Sequence, residues 1–137
     1  MADTFDLELV SPEKLLLSRP VEMATIPAAE GEMGVLPGHA PMIVALRGGV
    51  IAVRENGAET ERLFVMGGFA EITPTRVTVL AEEATPVANV SRAEAERRVA
   101  EAQAALNGLS DATPSATETA MARVQAAQAM MQAAGAA

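Results

Sequence analysis

Cysteine, tryptophan and tyrosine are absent from the 137 residues, and there are only three phenylalanines and one histidine, His39. Without cysteine there is no disulfide framework and no thiolate zinc site, which is compatible with a reducing compartment. So few aromatic rings cannot build the stacking platforms that read unpaired bases. A net charge of −8 also works against a phosphate backbone. Nucleic acid is therefore not expected as a partner. Any Ser-His or Cys-His chemistry would rest on His39 alone, and no Gly-x-Ser-x-Gly elbow or Gly-x-x-x-x-Gly-Lys-Ser/Thr loop is present. No run approaches the length of an apolar membrane span. The acidic start MADTFDLELV lacks the apolar core of a secretory signal and the Arg/Ser bias of a transit peptide. The expectation is a soluble cytoplasmic protein with no lipid insertion.

What is present changes character near residue 87. Up to that point lie seven of the eight prolines, eight of the ten glycines and a charge of −7, from six Lys/Arg against thirteen Asp/Glu. Beyond it the charge is −1, from four against five, and 18 of the last 50 residues are alanine. Proline and glycine interrupt regular elements whereas alanine favours helix, so a turn-rich half, 1–87, precedes a helical half, 88–137.

The first half reads as short strands. TFDLELV alternates Phe5, Leu7 and Leu9 with acids, the period-two mark of a half-buried strand. KLLLS and VEMATI follow, separated at Arg19-Pro20; GVIAVRE and ETERLFVM flank Asn56-Gly57, a strong hairpin signal; GFAEITP and RVTVLAEE flank Pro74-Thr75. Such spacing predicts an antiparallel sandwich or barrel, with no room for helices between strands. Gly48-Gly49 and Gly67-Gly68 read as strand-edge turns or close backbone approaches.

The second half reads as an antiparallel helical hairpin, making the fold α+β. Ser91 to Glu94 fits a capping box. Ala95, Val99, Ala102, Leu106 and Leu109 recur on one face, while Glu94 is placed to pair with Arg97 and Arg98. Asn107-Gly108 is the expected stop, and Thr113-Pro114 opens a second helix with Met121, Val124, Met131 and Ala134 as its stripe. Alanine buries little area, at ~25 cal/mol per Å², so the hairpin is expected to dock loosely and be detachable.

One stretch, EGEMGVLPGHAP (30–41), concentrates the candidate chemistry. Glu32 and His39 are seven residues apart across a glycine-rich segment, which matches no common metal-ligand spacing. The bland reading of His39 is an imidazole bonded to a backbone carbonyl at a proline-fixed corner. The bland reading of Glu30 and Glu32 is a solvated tip, and the functional one is an acidic patch held stiffly for a partner. Adjacent Glu82 and Glu83 would point to opposite faces of a strand, so no acid–base dyad is expected there. Met121, Met130 and Met131 are expected to pack rather than line a cofactor pocket.

GEMGVLPGHAPMIVAL (31–46), MGGFAEITPTRVTVLAEEA (66–84) and LELVSPEKLLLS together resemble the epsilon-subunit family of bacterial F-type ATP synthases. The mitochondrial delta subunits belong to the same family but carry a targeting segment. The resemblance covers essentially the whole chain. It implies a flattened antiparallel sandwich of about ten strands followed by two antiparallel helices. It further implies a non-catalytic rotor subunit of the central stalk, coupling the gamma subunit to the membrane c-ring on the cytoplasmic face of the inner membrane. Carried over by residue, Glu30, Gly31 and Glu32 are the ring-contacting tip, with Glu32 foremost, and His39 falls by the gamma contact. EGEMGVLPGHAP is then a rigid docking loop.

In the family the hairpin can reach the alpha and beta subunits and inhibit hydrolysis, and in some members it binds ATP. The family motif [Ile/Leu]-Asp-x-x-Arg-Ala corresponds here to ANVSRA (88–93): Arg92 and Ala93 match, while Ala88 and Asn89 depart from it. Arg123 is the one arginine of the last helix. With Arg92 and Arg123 as the candidate phosphate contacts, no bound cofactor is expected and a mainly structural hairpin is preferred. The competing reading is a freestanding nucleotide-binding sandwich with the helices as a lid.

Overall fold

The computed structural model describes residues 3–110 and 113–136. The outermost residues of the two expected spans, 1–2 and 137, and positions 111–112 between the helices, lie outside the described residues. Ten strands come first: β1 (Phe5–Val10), β2 (Leu15–Val21), β3 (Met23–Ala28), β4 (Gly31–Val35), β5 (Met42–Leu46), β6 (Gly49–Glu55), β7 (Ala58–Val65), β8 (Gly68–Ile72), β9 (Arg76–Ala81) and β10 (Ala84–Pro86). A 3-10 turn (Val87–Asn89) leads into helix α1 (Arg92–Asn107), and helix α2 (Pro114–Ala136) completes the hairpin.

The strands form one folded sheet in the order β10-β7-β6-β3-β5-β8-β9-β1-β2, with β4 added to β3. All pairs are antiparallel except β1 with β9, where Leu7 lies against Val77 and Leu9 against Val79. That parallel pair departs from the fully antiparallel expectation. It arises because the first strand is slotted between its hairpin partner β2 and the distant β9. Its alternation is what burial selects: Phe5, Leu7 and Leu9 are all at most 2% exposed, and they join Ile26, Val53, Ile72, Val77 and Val79 in the interior. No polar or charged residue is fully buried among the described residues, so the core is held by apolar burial alone.

Two local readings are corrected. The expected break at Arg19-Pro20 is absent, and β2 runs through Pro20 to Val21. β2 is a terminal strand of the sheet, where a missing amide donor need not cost a ladder bond. The segment expected as one stiff loop is also part strand: Gly31–Val35 forms β4, paired with β3 from Gly31–Ala28 to Val35–Ala24. Only residues 36–41 remain as the loop to β5.

Asn56 and Gly57 make the tight turn between β6 and β7, with φ of 52° and 77°, the left-handed pair that a two-residue hairpin needs. Ser91 Oγ accepts the Glu94 amide at 3.1 Å, one half of the capping box. Glu94 does not complete it, because its carboxylate is taken by Arg97 and Arg98. Gly108 ends α1 in right-handed geometry, φ −80°, with its amide still bonded to Ala104 O, so the stop is not a left-handed glycine cap. Thr113 Oγ1 accepts the Ala116 amide at 3.2 Å and starts α2.

Arg19 closes the flank of the folded sheet. From β2 its guanidinium donates to Glu55 of β6 at 2.9 Å and to Glu61 of β7 at 3.2 Å. Thr60 donates to the same Glu55 oxygen at 2.6 Å. That hydroxyl, and then Arg19, hold the Glu55 carboxyl below its ordinary range against the opposing effect of burial. A carboxylate with a depressed folded-state pKa stabilises above its unfolded pKa and loses that contribution as pH falls through the folded one. Arg19→Ala is therefore expected to lower stability by at most about 1 kcal/mol at neutral pH, since partly solvated pairs are weak. Chemical denaturation at pH 7 and below pH 4 should show the difference from the parent shrinking in acid; a constant difference would remove the ionic explanation.

Candidate functional site

Three surfaces emerge from this fold, none of them a catalytic cleft. The first is the acidic tip. Glu30 sits in the turn after β3, and Gly31 (φ 140°) turns the chain into β4, where Glu32 points outward at the edge. Beside it opens a cleft of about 450 Å³ whose far wall is β5, including Met42, Ile43, Val44 and Ala45. Neither Glu30 nor Glu32 has an ion-pair partner among the described residues. Acids at an edge strand also discourage indiscriminate strand pairing.

The second surface is the proline corner that follows. Gly38, at φ 83°, donates its amide to Pro74 O at 2.8 Å, tying this loop to the β8–β9 turn. His39 is half-buried, its amide bonds Leu36 O at 3.2 Å, and Nδ1–H donates to Ala40 O at 2.9 Å. The ring is thus held by a backbone carbonyl, and no metal-binding group of His and acids occurs among the described residues.

Toward the other ends of β5, β8 and β9 lies a feature that sequence reasoning missed. Cross-strand partners Ala45–Phe69, Phe69–Leu80, Leu80–Val10 and Val10–Leu15 form one row over five strands. Its large members are exposed: Phe69 57%, Leu80 55% and Leu15 56%, with Ile43 at 73% alongside. Isolated exposed apolar side chains are ordinary, but a contiguous row of them is not. The signal was available in strand parity: Ala70, Ile72, Val77 and Val79 face the core, which puts Phe69 and Leu80 outside.

The third surface is the joint between sandwich and hairpin. Gly48, between β5 and β6, is buried against α2 so closely that an added Cβ would lie 2.5 Å from Ala126 Cα. The Gln125 side-chain amide brackets that glycine: Gly48 N–H donates to Oε1 at 3.0 Å, and Nε2 donates to Gly48 O at 2.8 Å. Arg98 of α1 forms a two-pronged pair with Glu83, both bonds 2.9 Å, and also bonds Glu94. These carboxylates, Glu83 foremost, raise the Arg98 pKa further. Between the two polar contacts, Phe64, Ala95, Met130 and Ala133 form a small buried cluster.

This joint decides which face of α2 is inward. Val124, Ala126, Ala127, Met130 and Ala133 are buried, whereas Met121 of the expected stripe is 56% exposed and Met131 and Ala134 are only half-buried. The helix turns its smallest side chains to Gly48 because backbone approach, not side-chain bulk, sets the contact. On α1, Ala95 is buried, Val99, Ala102 and Leu106 are half-covered, and Leu109 lies exposed beyond the helix end.

The two candidate phosphate contacts are separated by the hairpin's packing. Arg92, at the first turn of α1, pairs with Glu96 at 3.3 Å and lies near Gly135. Arg123 lines a cleft of about 450 Å³ with Arg98, Glu82, Glu83 and Glu101, to which Arg92 does not contribute.

Residues 4–87 match the family described as ATP synthase, Delta/Epsilon chain, beta-sandwich domain. The ATP synthase epsilon chain of Granulibacter bethesdensis is 60% identical over 134 residues, spanning 98% of both chains. That of Gluconacetobacter diazotrophicus is 44% identical, over 94% of this chain and 92% of its own. A chain of the Euglena gracilis mitochondrial ATP synthase OSCP/F1/c-ring structure shares the fold with a TM-score of 0.76 at 24% identity, covering 95% of this chain and 81% of that one. A chain of the Tetrahymena thermophila mitochondrial ATP synthase central stalk/c-ring structure does so with a TM-score of 0.71 at 14% identity, covering 97% and 98%. This chain belongs to the ATP synthase delta/epsilon family.

Gly48→Val is expected to undock α2 while sparing the sandwich, because the new side chain meets helix backbone that cannot rotate away. Amide exchange should rise at least tenfold along 124–133 with little change in β1, β8 and β9, a local opening of the kind that weakly held elements undergo. Equal exchange in variant and parent would show that the close approach does not hold the hairpin.

Proposed function

We propose that this chain is a rotor subunit of a bacterial F-type ATP synthase, joining the gamma subunit to the membrane c-ring and carrying no active site of its own. The supporting observation is the continuity of two unlike surfaces. The apolar row ends at Ala45, and Ala45 and Ile43 also wall the cleft bounded by Glu30, Gly31 and Glu32. One rigid sandwich can therefore hold an apolar partner on its face and a polar one at its tip. In this reading gamma takes the row and the His39 corner, and the ring loops take Glu30–Glu32. Apolar burial supplies most of the affinity at the first contact, and charge at the second gives orientation and rate. A pre-shaped tip loses little entropy on docking.

The labour divides near residue 87, with 1–87 making the coupling contacts and 88–137 an ancillary hairpin. From Thr113 onward the chain has one arginine and one glutamate, which is little charge with which to grip alpha or beta subunits. Arg98 is already committed to Glu83 and Glu94, and Arg123 faces a cleft rich in acids. A structural hairpin without ATP as ligand follows from that charge distribution. No described helix is long and apolar enough to cross a membrane. The chain's place is peripheral, at the cytoplasmic face of the inner membrane through the c-ring.

The test uses the assembled ATP synthase with either the full chain or a version ending at Val87. Retained proton pumping with an unchanged hydrolysis rate is the expected outcome. A several-fold rise in hydrolysis on truncation would make the hairpin inhibitory, and loss of gamma co-purification with the sandwich alone would overturn the division. Phe69→Glu should weaken gamma binding by more than tenfold, as central apolar contacts do, whereas Glu32→Gln should leave gamma bound and reduce coupling. An ATP-dependent thermal shift of the isolated chain would instead favour the nucleotide-binding lid.

A further inference from the structure

We propose that Asn56 is a site of spontaneous deamidation and that Glu22 sets its rate. The chain has two Asn-Gly pairs, Asn56-Gly57 and Asn107-Gly108, and glycine leaves the following amide nitrogen unshielded by a Cβ. In the reaction the Gly57 main-chain nitrogen loses its proton and attacks Asn56 Cγ. The N–Cγ bond forms, the Cγ–Nδ2 bond breaks, and ammonia departs with the proton. Water then opens the five-membered imide at either carbonyl, giving aspartate or isoaspartate. The sum is one water consumed and one ammonia released, with no oxidant or cofactor.

The two sites are held differently. Asn107 is the last residue of α1; its Oδ1 accepts from Gln103 Nε2 at 3.0 Å, and the Gly108 amide donates to the helix carbonyl of Ala104 at 3.0 Å. Attack there must first undo the helix end. Asn56 is exposed in the β6–β7 turn at φ 52°, and its side chain makes no hydrogen bond among the described residues. The Gly57 amide is not in a ladder. It donates to a single side chain, Glu22 Oε1, at 2.9 Å, while Arg54 reaches Gly57 O at 3.4 Å.

Glu22 thus places a carboxylate where the attacking nitrogen must become negative. Like charge this close opposes deprotonation, and the hydrogen bond fixes the nitrogen in its protonated form. The carboxylate restrains the turn's own chemistry. Conversion would put a new acid beside Glu22 and Glu55, and the isoaspartate form would lengthen the main chain where Glu55 pairs with Ala58. Glu55 is also the anchor of Arg19, so the damage would reach the closing staple of the sheet.

The full-length chain is incubated at pH 8 and mapped by peptide mass spectrometry, with enzymatic methylation to count isoaspartate. Glu22→Gln, which keeps an acceptor for the Gly57 amide but removes the charge, is expected to speed conversion at Asn56 by roughly tenfold, about the effect of one near charge at a protein surface. Asn107 should be unaffected. An unchanged or slower rate in the variant, the latter meaning that Glu22 acts as a base, overturns the proposal, as does faster loss of Asn107 than of Asn56 in the variant. Should the variant unfold, the parent decides: conversion at Asn56 must be slower in buffer than in 8 M urea, and equal rates overturn the assignment.

Discussion

The arrangement of the last fifty residues depends on one bare stretch of backbone, Gly48 against Ala126. An alanine-rich helix offers too little apolar area to choose its own seat, since each methyl contributes only a fraction of what a leucine would. Here the seat is chosen by proximity and hydrogen bonding. Glycine on the strand side and alanine on the helix side let two backbones meet, and the Gln125 amide satisfies both polar groups of the glycine. Arg98 on Glu83 fixes the other helix. The docking is specific without being strong, because its polar part is partly solvated and its apolar part is a small cluster.

The sandwich shows the opposite logic. In β1, β8 and β9 the interior is closed by alternation, so these strands also dictate their outer faces. Where the outward positions of β5, β8, β9, β1 and β2 are apolar, register aligns them into one row rather than scattering them. A one-residue slip in any of these strands would exchange core for surface. The apolar row is thus a by-product of the same register that makes the core.

Much of this could be read from the residues. Alternation in TFDLELV, the Asn56-Gly57 turn and the change of composition near residue 87 gave the strands, one hairpin and the helical half, because each is a local rule. The long motifs placed the chain in its family. What stayed hidden depended on distant partners. Pro20 continues a strand because β2 has a free edge, and Gly31–Val35 is a strand because β3 lies beside it. Glu94 abandons the capping box for two arginines, and α2 turns toward Gly48 instead of presenting Met121. Phe69 and Leu80 were legible by parity, yet their alignment required the sheet order.

The parallel pairing of β1 with β9 carries a further implication for how the molecule is made. β1, the earliest strand of this sequence, sits between β2 and a strand that ends at Ala81. Its hairpin with β2 can form early, but its other edge and its buried Phe5, Leu7 and Leu9 must wait until β9 is synthesised. Such long-range closure is slow relative to local pairing. During that interval the nascent chain leaves the core face of β1 uncovered, and the emergence of residues 76–81 is the event that closes it.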